Sequence, residues 1–411
     1  MRLLNSWFCE NSARFYSAGV ERLRRVGRRL GETPLEIQPF RGYGVRDEAF
    51  LMGRVHRGMA GTDARETDGP LRRLIRMLPG LLQPGASGVT VAARFQGAER
   101  RVRSDRDGFF RIHLRPDRTP AADRQWHPME LSLESAAGVS ASAAPVRGDV
   151  YVPPESARYV VISDVDDTVM ETGVANKLMM FWRLFAETAH ARVAFPGVSA
   201  LYRAFHDGRT GDQLNPMLYV SRGPWTLYEA LGLFFNLNRI PVGPILFLRD
   251  WGLRLGRPIP RRSSGHKLGL IRRMVTLYRE FPFILIGDSG QRDPEIYARV
   301  VRDFPGRVAA IYIRDVGRGN GRAEAIARLA REVAKAGSVL VLAADSLAMG
   351  RHAAETGLIP EAALAEIRRE GAAEMAEPIP ASEREEKRTV IRGEEWASEA
   401  RPKDIQARRP E

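Results

Sequence analysis

The sequence predicts an α/β protein: a doubly wound, mainly parallel sheet preceded by a smaller β-rich, sandwich-like domain. Three patterns carry this expectation. From Tyr159 to about Asp345, apolar runs of strand length alternate with segments of helical length. Between about Leu35 and Pro154 the runs are shorter, alternate in polarity and are punctuated by Gly, Pro and Asp. A block of charge, Asp164-Val165-Asp166-Asp167-Thr168, follows directly on the apolar Tyr159-Val160-Val161-Ile162.

Taken in order, Arg14–Leu30 is Arg-rich with Leu23, Val26 and Leu30 at helical spacing. It reads as a basic amphipathic helix, docked on the first domain or touching a membrane. Within the β-rich region the runs at 50–55, 89–93 and 129–133 alternate as half-buried strands do. Ser104-Asp105-Arg106-Asp107-Gly108 superficially resembles a calcium loop but lacks the downstream acidic ligands, so a turn into a strand at Phe109–Leu114 is expected. The strands expected beyond are Tyr159–Ser163, Met217–Ser221, Ile245–Leu248, Phe283–Gly287, Val308–Ile313 and Val339–Ala343. Helices at Pro224–Phe235, Lys267–Phe281 and Pro294–Asp303 lie between them. A short helix at Glu361–Glu370 precedes a stretch rich in Glu, Arg, Ala and Pro, and Met375–Glu411 reads as a disordered tail. The expected division is therefore 1–34, 35–154, 155–350 and 351–411, with an insert around 171–212.

Composition narrows the class. The 44% hydrophobic and 8% aromatic content of the 411 residues fits a soluble globular chain. A single cysteine, Cys9, rules out an intrachain disulfide and any Cys-rich zinc site. The net charge of +13 favours anionic partners such as phosphorylated ligands or acidic lipid surfaces. Nucleic acid is not expected, because neither zinc spacing nor an aromatic RNA-binding motif accompanies the charge. No apolar run approaches the roughly 20 residues that span a bilayer, and the first ten residues do not form a secretory signal. The expected setting is cytoplasmic, with peripheral membrane contact left open.

Four separated segments carry chemistry. Carboxylates packed straight after a buried strand are costly unless a metal or cation neutralises them, so Asp164 and Asp166 point to metal-assisted phosphoryl transfer. Ser221, in Tyr219-Val220-Ser221-Arg222-Gly223-Pro224-Trp225, ends a strand that runs into a helix; backbone N–H groups there can cradle a phosphate, although a plain helix cap uses the same residue. Lys267, at the head of a helix, is one of five lysines among 63 basic residues. Its compact ammonium suits a point charge where a planar guanidinium does not, and a solvated helix start is the alternative. The fourth segment, Gly287-Asp288-Ser289-Gly290-Gln291-Arg292-Asp293, lies at another strand end; Asp293 before Pro294 also reads as a helix cap. A P-loop is absent, and Gly317-Arg318-Gly319-Asn320-Gly321 lacks dinucleotide spacing.

Together the four segments resemble, in order and strand-end placement, the haloacid dehalogenase (HAD) superfamily of phosphotransferases. More closely, Ile162–Thr168, Tyr219-Val220-Ser221 with Pro224-Trp225, Leu285–Gln291 with Asp293–Tyr297, and Ile311–Asp315 resemble the actin-patch phosphatidate phosphatase family. Bacterial relatives carry an N-terminal β-rich region, to which Gly42-Tyr43-Gly44, Gly53-Arg54-Val55 and Asp107-Gly108-Phe109 are similar. The resemblance implies a HAD-like Rossmannoid domain holding magnesium. Asp164 is then the nucleophile that forms an aspartyl-phosphate, and Asp166 the general acid and base. It implies a metal set of Asp164, the Asp166 backbone carbonyl and Asp288, with Asp293 orienting Lys267 or a metal-bound water. Lys267 and Ser221 meet the phosphate oxygens, Thr168 supports the nucleophile loop, and Arg222 and Gly223 complete the substrate side. Arg222 departs from the small or polar residue expected there.

The substrate follows less directly. Leu178–Phe185 is apolar nearly all round and reads either as a core helix or as a lid meeting acyl chains. Three functions are therefore weighed: a magnesium-dependent phosphatidate phosphatase releasing diacylglycerol, a HAD phosphatase acting on a soluble phosphomonoester, and a non-catalytic lipid- or actin-associated module.

Overall fold

The computed structural model describes residues 34–57, 85–134, 144–165, 196–221, 225, 228–247, 264–317 and 320–376. The basic helix expected at 14–30, the apolar run 178–185 and residues 377–411 lie outside them.

The N-terminal strands are β1 (Leu35–Pro39), β2 (Gly42–Val45), β3 (Glu48–Arg57), β4 (Thr90–Phe95), β5 (Ala98–Arg103), β6 (Phe109–Leu114), β7 (Trp126–Leu133) and β8 (Val146–Tyr151). Alternation sets their faces: in β3, Ala49, Leu51 and Val55 turn inward while Phe50, Met52 and Arg54 stay half-buried. The eight strands form one sheet in the order β1-β3-β2-β8-β7-β4-β5, with β6 on β3. Pairings are antiparallel except β2 with β8. The sheet encloses Leu51, Val55, Val91, Phe95, Phe110, Ile112, Met129 and Leu131. Gln96 and Gly97, both at positive φ, make the two-residue hairpin turn from β4 to β5. Before β6, Asp105 Oδ1 accepts the backbone N–H groups of Asp107 and Phe109, so the acidic stretch is a turn. Gly108 is required there: its φ is 84°, and a Cβ would meet the Val55 carbonyl oxygen at 2.3 Å.

The second sheet consists of β9 (Val160–Asp164), β10 (Met217–Ser221), β11 (Ile245–Phe247), β12 (Phe283–Asp288), β13 (Val308–Arg314) and β14 (Val339–Ala343). All pairings are parallel and the order is β11-β10-β9-β12-β13-β14. Its helices are α1 (Val198–Asp207), α2 (Tyr228–Leu237), α3 (Ser264–Leu277), α4 (Asp293–Asp303), α5 (Asn320–Lys335), α6 (Ser346–Glu355) and α7 (Ala363–Ala376). Both faces of the sheet are covered, which explains why its strands read as continuous apolar runs. Val161, Tyr219, Ile284 and Tyr312 pack on one face with Leu201 and Phe205 of α1, Leu231 and Phe235 of α2, Met349 of α6 and Ile367 of α7. Val160, Ile162, Leu218, Leu285 and Ile311 pack on the other with Ile271, Met274, Tyr297, Val300 and Ile326 from α3, α4 and α5. The expected fold class is thus what the structure shows: a helix-covered parallel sheet and a separate, mainly antiparallel N-terminal sheet. Of the insert expected around 171–212, the described part includes α1, which packs on the sheet. Among the described residues no helix is long and apolar enough to cross a membrane.

Leu285 has no exposed surface and touches helices on the face that carries Lys267. Leu285→Ala is expected to cost about 2–5 kcal/mol. The check is a lowered chemical-unfolding midpoint; an unchanged midpoint would contradict this packing.

Candidate active site

In the parallel sheet the strand order reverses between β9 and β12, opening a crevice beyond their carboxyl ends. Asp164 ends β9 and Asp288 ends β12, so the sheet brings together carboxylates 124 positions apart in the chain. Lys267, in the first turn of α3, enters from one face with only 1% of its side chain exposed. Its ammonium lies 2.9 Å from Asp164 Oδ2 and 2.5 Å from Asp293 Oδ1, and the Asp164 and Asp293 side chains are as buried as its own. One oxygen from each of Asp164, Asp288 and Asp293 lies within 4.8 Å of the others.

The surroundings hold these groups tightly. Asp293 is the first residue of α4 rather than its cap; Arg292 holds the cap position without a side-chain bond. The helix-cap alternative for Asp293 therefore falls away, and its carboxylate faces Lys267. Gly287 makes this possible, since a Cβ there would lie 2.3 Å from Asp293 Oδ2. Tyr297 of α4 presents its ring 5.5 Å from the Lys267 ammonium and donates its hydroxyl to the Ile286 carbonyl at 2.9 Å. Asp288 Oδ1 accepts the Gln291 N–H at 2.9 Å, whereas Oδ2 is buried without a hydrogen-bond partner. Arg322 braces this turn from α5, donating to the carbonyls of Ser289 and Gln291 and pairing with Glu295.

On the other face, Ser163 Oγ donates to the Asp164 carbonyl at 3.1 Å and lies 2.6 Å from Tyr202 Oη of α1. With the serine proton used, the tyrosine donates. Ser221 is buried at the end of β10, one residue beyond Val220, which pairs with Asp164. Arg314 ends β13 beside Asp288 and donates to Ser346 Oγ at 2.8 Å. Burial draws its guanidinium down to about 10, against the pull of Tyr202 and Asp345.

Burial alone would lower the Lys267 pKa, but Asp164 and Asp293 outweigh it, so the net shift is upward from the usual 10.5. A raised value stabilises the folded state fully below the unfolded pKa, and that contribution is lost only as pH rises through the still higher folded value. Lys267 is therefore cationic throughout the neutral range. The buried carboxylates of this cluster outnumber the one ammonium, which pairs with Asp164 and Asp293 but not with Asp288. An all-oxygen donor set with the orphaned Asp288 Oδ2 fits a hard divalent cation.

Of the residues singled out from sequence, Asp164, Lys267, Asp288 and Asp293 converge on one cluster, and Ser221 sits on the adjoining strand end. Asp166, Thr168, Arg222 and Gly223 lie outside the described residues. Sequence reasoning gave no role to Tyr202, Tyr297, Arg314 or Arg322. Tyr297 and Arg314 stand inside family-like stretches, a signal that was available; Tyr202 and Arg322 have none.

Fold and cluster define a class: a parallel α/β domain with a buried acidic centre, of the kind that holds a metal ion, at its topological switch point. Residues 159–315, most of this α/β domain, match the family model described as Phosphatidate phosphatase APP1, catalytic domain. All five converging or adjoining site residues fall inside the match. Phosphatidate phosphatase APP1 of Saccharomyces cerevisiae is 34% identical over 155 residues, covering 38% of this chain and 25% of that protein. An uncharacterised protein of Schizosaccharomyces pombe is 30% identical over 157 residues, with the same coverage of 38% and 25%. The chain thus spans about a quarter of the length of the curated relatives it matches. Among solved structures, a carbohydrate acetylesterase from Xanthomonas citri aligns over 71% of this chain and 73% of its own at 12% identity and a TM-score of 0.22, a level at which neither fold nor chemistry transfers.

The charge imbalance sets opposite signs for two substitutions in chelator-treated protein. Lys267→Met strands buried carboxylates and is expected to lower stability by about 3–5 kcal/mol. Asp288→Asn keeps an acceptor for Gln291 and removes one of the clustered buried carboxylates, so its thermal midpoint should equal or exceed that of the parent. Scanning calorimetry of both variants checks this; two shifts of the same sign would contradict the electrostatics.

Proposed function

We propose that this chain is a magnesium-dependent phosphatidate phosphatase that works through an aspartyl-phosphate. The observation that carries the reading is the buried Lys267 bridging Asp164 and Asp293 beside the orphaned oxygen of Asp288, inside the region matched to the catalytic-domain family.

In this reading Lys267 pairs with Asp164 and orients it, while Asp293 anchors the ammonium. An Asp164 oxygen attacks phosphorus in line; the bond to the lipid oxygen breaks, and Asp166 gives that oxygen its proton, releasing diacylglycerol. Asp166, now a carboxylate, takes a proton from water as the water oxygen bonds to phosphorus and the acyl-phosphate bond breaks. Inorganic phosphate leaves and Asp164 is restored. Lys267 and Ser221 meet the equatorial oxygens, where transition-state charge gathers, with Arg222 and Gly223 beside Ser221 and Thr168 supporting the nucleophile segment. Magnesium, held by Asp164, Asp288 and the Asp166 carbonyl with Asp293 at its edge, would neutralise charge on the phosphoryl group. The net charge of +13 favours approach to an anionic lipid surface.

Asp164→Asn is expected to abolish phosphate release while the circular dichroism spectrum stays unchanged; retained turnover would refute the nucleophile. Treatment with EDTA should stop release and added magnesium restore it, whereas a metal-independent rate rules the mechanism out. Phosphatidate in mixed micelles should be hydrolysed faster than glucose 6-phosphate or p-nitrophenyl phosphate. The reverse ranking assigns a soluble phosphomonoester instead, and no release from any substrate leaves a non-catalytic module.

A further inference from the structure

We propose that the N-terminal β-domain is a working part of the phosphate site, with Phe40 a positioning residue that acts through Trp225 on Ser221. The inference rests on the reading of Ser221 as a phosphate contact.

Phe40 follows β1 but does not belong to the core of its own domain. It is 3% exposed and packs in the α/β core with Tyr219, Trp225 and Tyr228. Its ring stacks on Trp225 with centroids 4.5 Å apart and lies 4.6 Å from Tyr228. Phe109, also from the β-domain, reaches within 6.3 Å of the same indole. Trp225 meets Phe247 at 4.3 Å as well. Phe247 is the residue of β11 that pairs with Ser221 of β10. The contacts therefore run without a gap from the β-domain through Trp225 to the strand position beside Ser221.

Polar bonds fasten the same place. The Arg41 N–H donates to Tyr228 Oη at 2.8 Å, and the Arg41 guanidinium lies 5.9 Å from the centre of that ring. Gln38 Nε2 donates to Glu229 Oε1 at 3.0 Å. Three neighbouring residues at the end of β1 thus grip Trp225 and the start of α2, four to eight positions beyond Ser221. This contact falls at the carboxyl end of β10 and β11, the end that carries Asp164, and not on the outer surfaces of the helices. A hydroxyl that must meet a transferring phosphoryl group tolerates little displacement, since a shift of about 1 Å can cost on the order of a hundredfold in rate.

The test uses the full chain with Phe40→Ala, Ser221→Ala and the double variant. Hydrogen exchange read by mass spectrometry should rise in the peptide 217–237 of Phe40→Ala and stay unchanged in 283–303. Its kcat on phosphatidate micelles should fall about tenfold with KM little altered, and in the Ser221→Ala background the same change should cost nothing further. A loss that adds fully to that of Ser221→Ala, or exchange that rises equally in both peptides, overturns the proposal and leaves Phe40 a packing residue only. Should Phe40→Ala fail to fold, Phe40→Leu carries the same cycle. A wild-type chain that releases no phosphate sinks the reading of the site, whereas normal release with an additive cycle sinks only the role of Phe40.

Discussion

A single buried ammonium governs the α/β domain. Lys267 stands between Asp164 and Asp293, and Asp288 adds a third carboxylate that it does not neutralise. Placing such groups out of water is expensive, and an arrangement of this kind persists only where the surroundings fix it. Gly287 clears the space for Asp293, Tyr297 covers the ammonium, Tyr202 steadies the backbone of Asp164 through Ser163, and Arg322 pins the turn after Asp288. Stability alone would favour apolar side chains at these positions. The three clustered carboxylates could hold a metal ion.

The sheet topology decides where that charge gathers. With the order β11-β10-β9-β12-β13-β14, the chain leaves β9 and β12 in opposite directions, so the crevice between their ends is open to a ligand. Asp164 and Asp288 flank it, and α3 and α4 deliver Lys267 and Asp293 from one face. The N-terminal sheet joins the same end of the sheet, because Phe40 and Phe109 contribute to the α/β core and not to their own. At the other end of the sheet, before β10 begins, the Tyr151 hydroxyl donates to the Leu214 carbonyl at 2.6 Å. The β-domain thus touches the parallel sheet at both ends of β10, and only the contact around Phe40 lies at the end that carries Asp164.

Much of this was legible in the residues. Met217–Ser221, Val339–Ala343 and Phe109–Leu114 form strands over the expected bounds, since runs buried on both faces or cleanly alternating leave little choice. Asp164, Lys267, Asp288 and Asp293 were marked by their positions at strand ends and helix starts. What sequence could not disclose is tertiary. The helix expected over Pro224–Phe235 is described over Tyr228–Leu237, and the packing of Trp225 between Phe40 and Phe247 is a contact that no local pattern discloses. Asp293 before Pro294 also fits a helix cap in sequence, and only its contact with Lys267 separates the two. Tyr202 and Arg322 sit on ordinary amphipathic helices, where nothing local separates a brace from a surface residue. Alternation also predicts strands without their partners, so one continuous eight-stranded N-terminal sheet was not foreseeable from pattern alone.

The central claim is that distant segments converge so that Asp164 receives a phosphoryl group. The most direct measurement is rapid acid quenching of the full chain during turnover of radiolabelled phosphatidate with magnesium, followed by proteolysis and mapping of the label. The account predicts label on the peptide containing Asp164, lost on treatment with hydroxylamine as an acyl phosphate is. Turnover with no trapped label under conditions where release is slowed, or label on a peptide without Asp164, would contradict it.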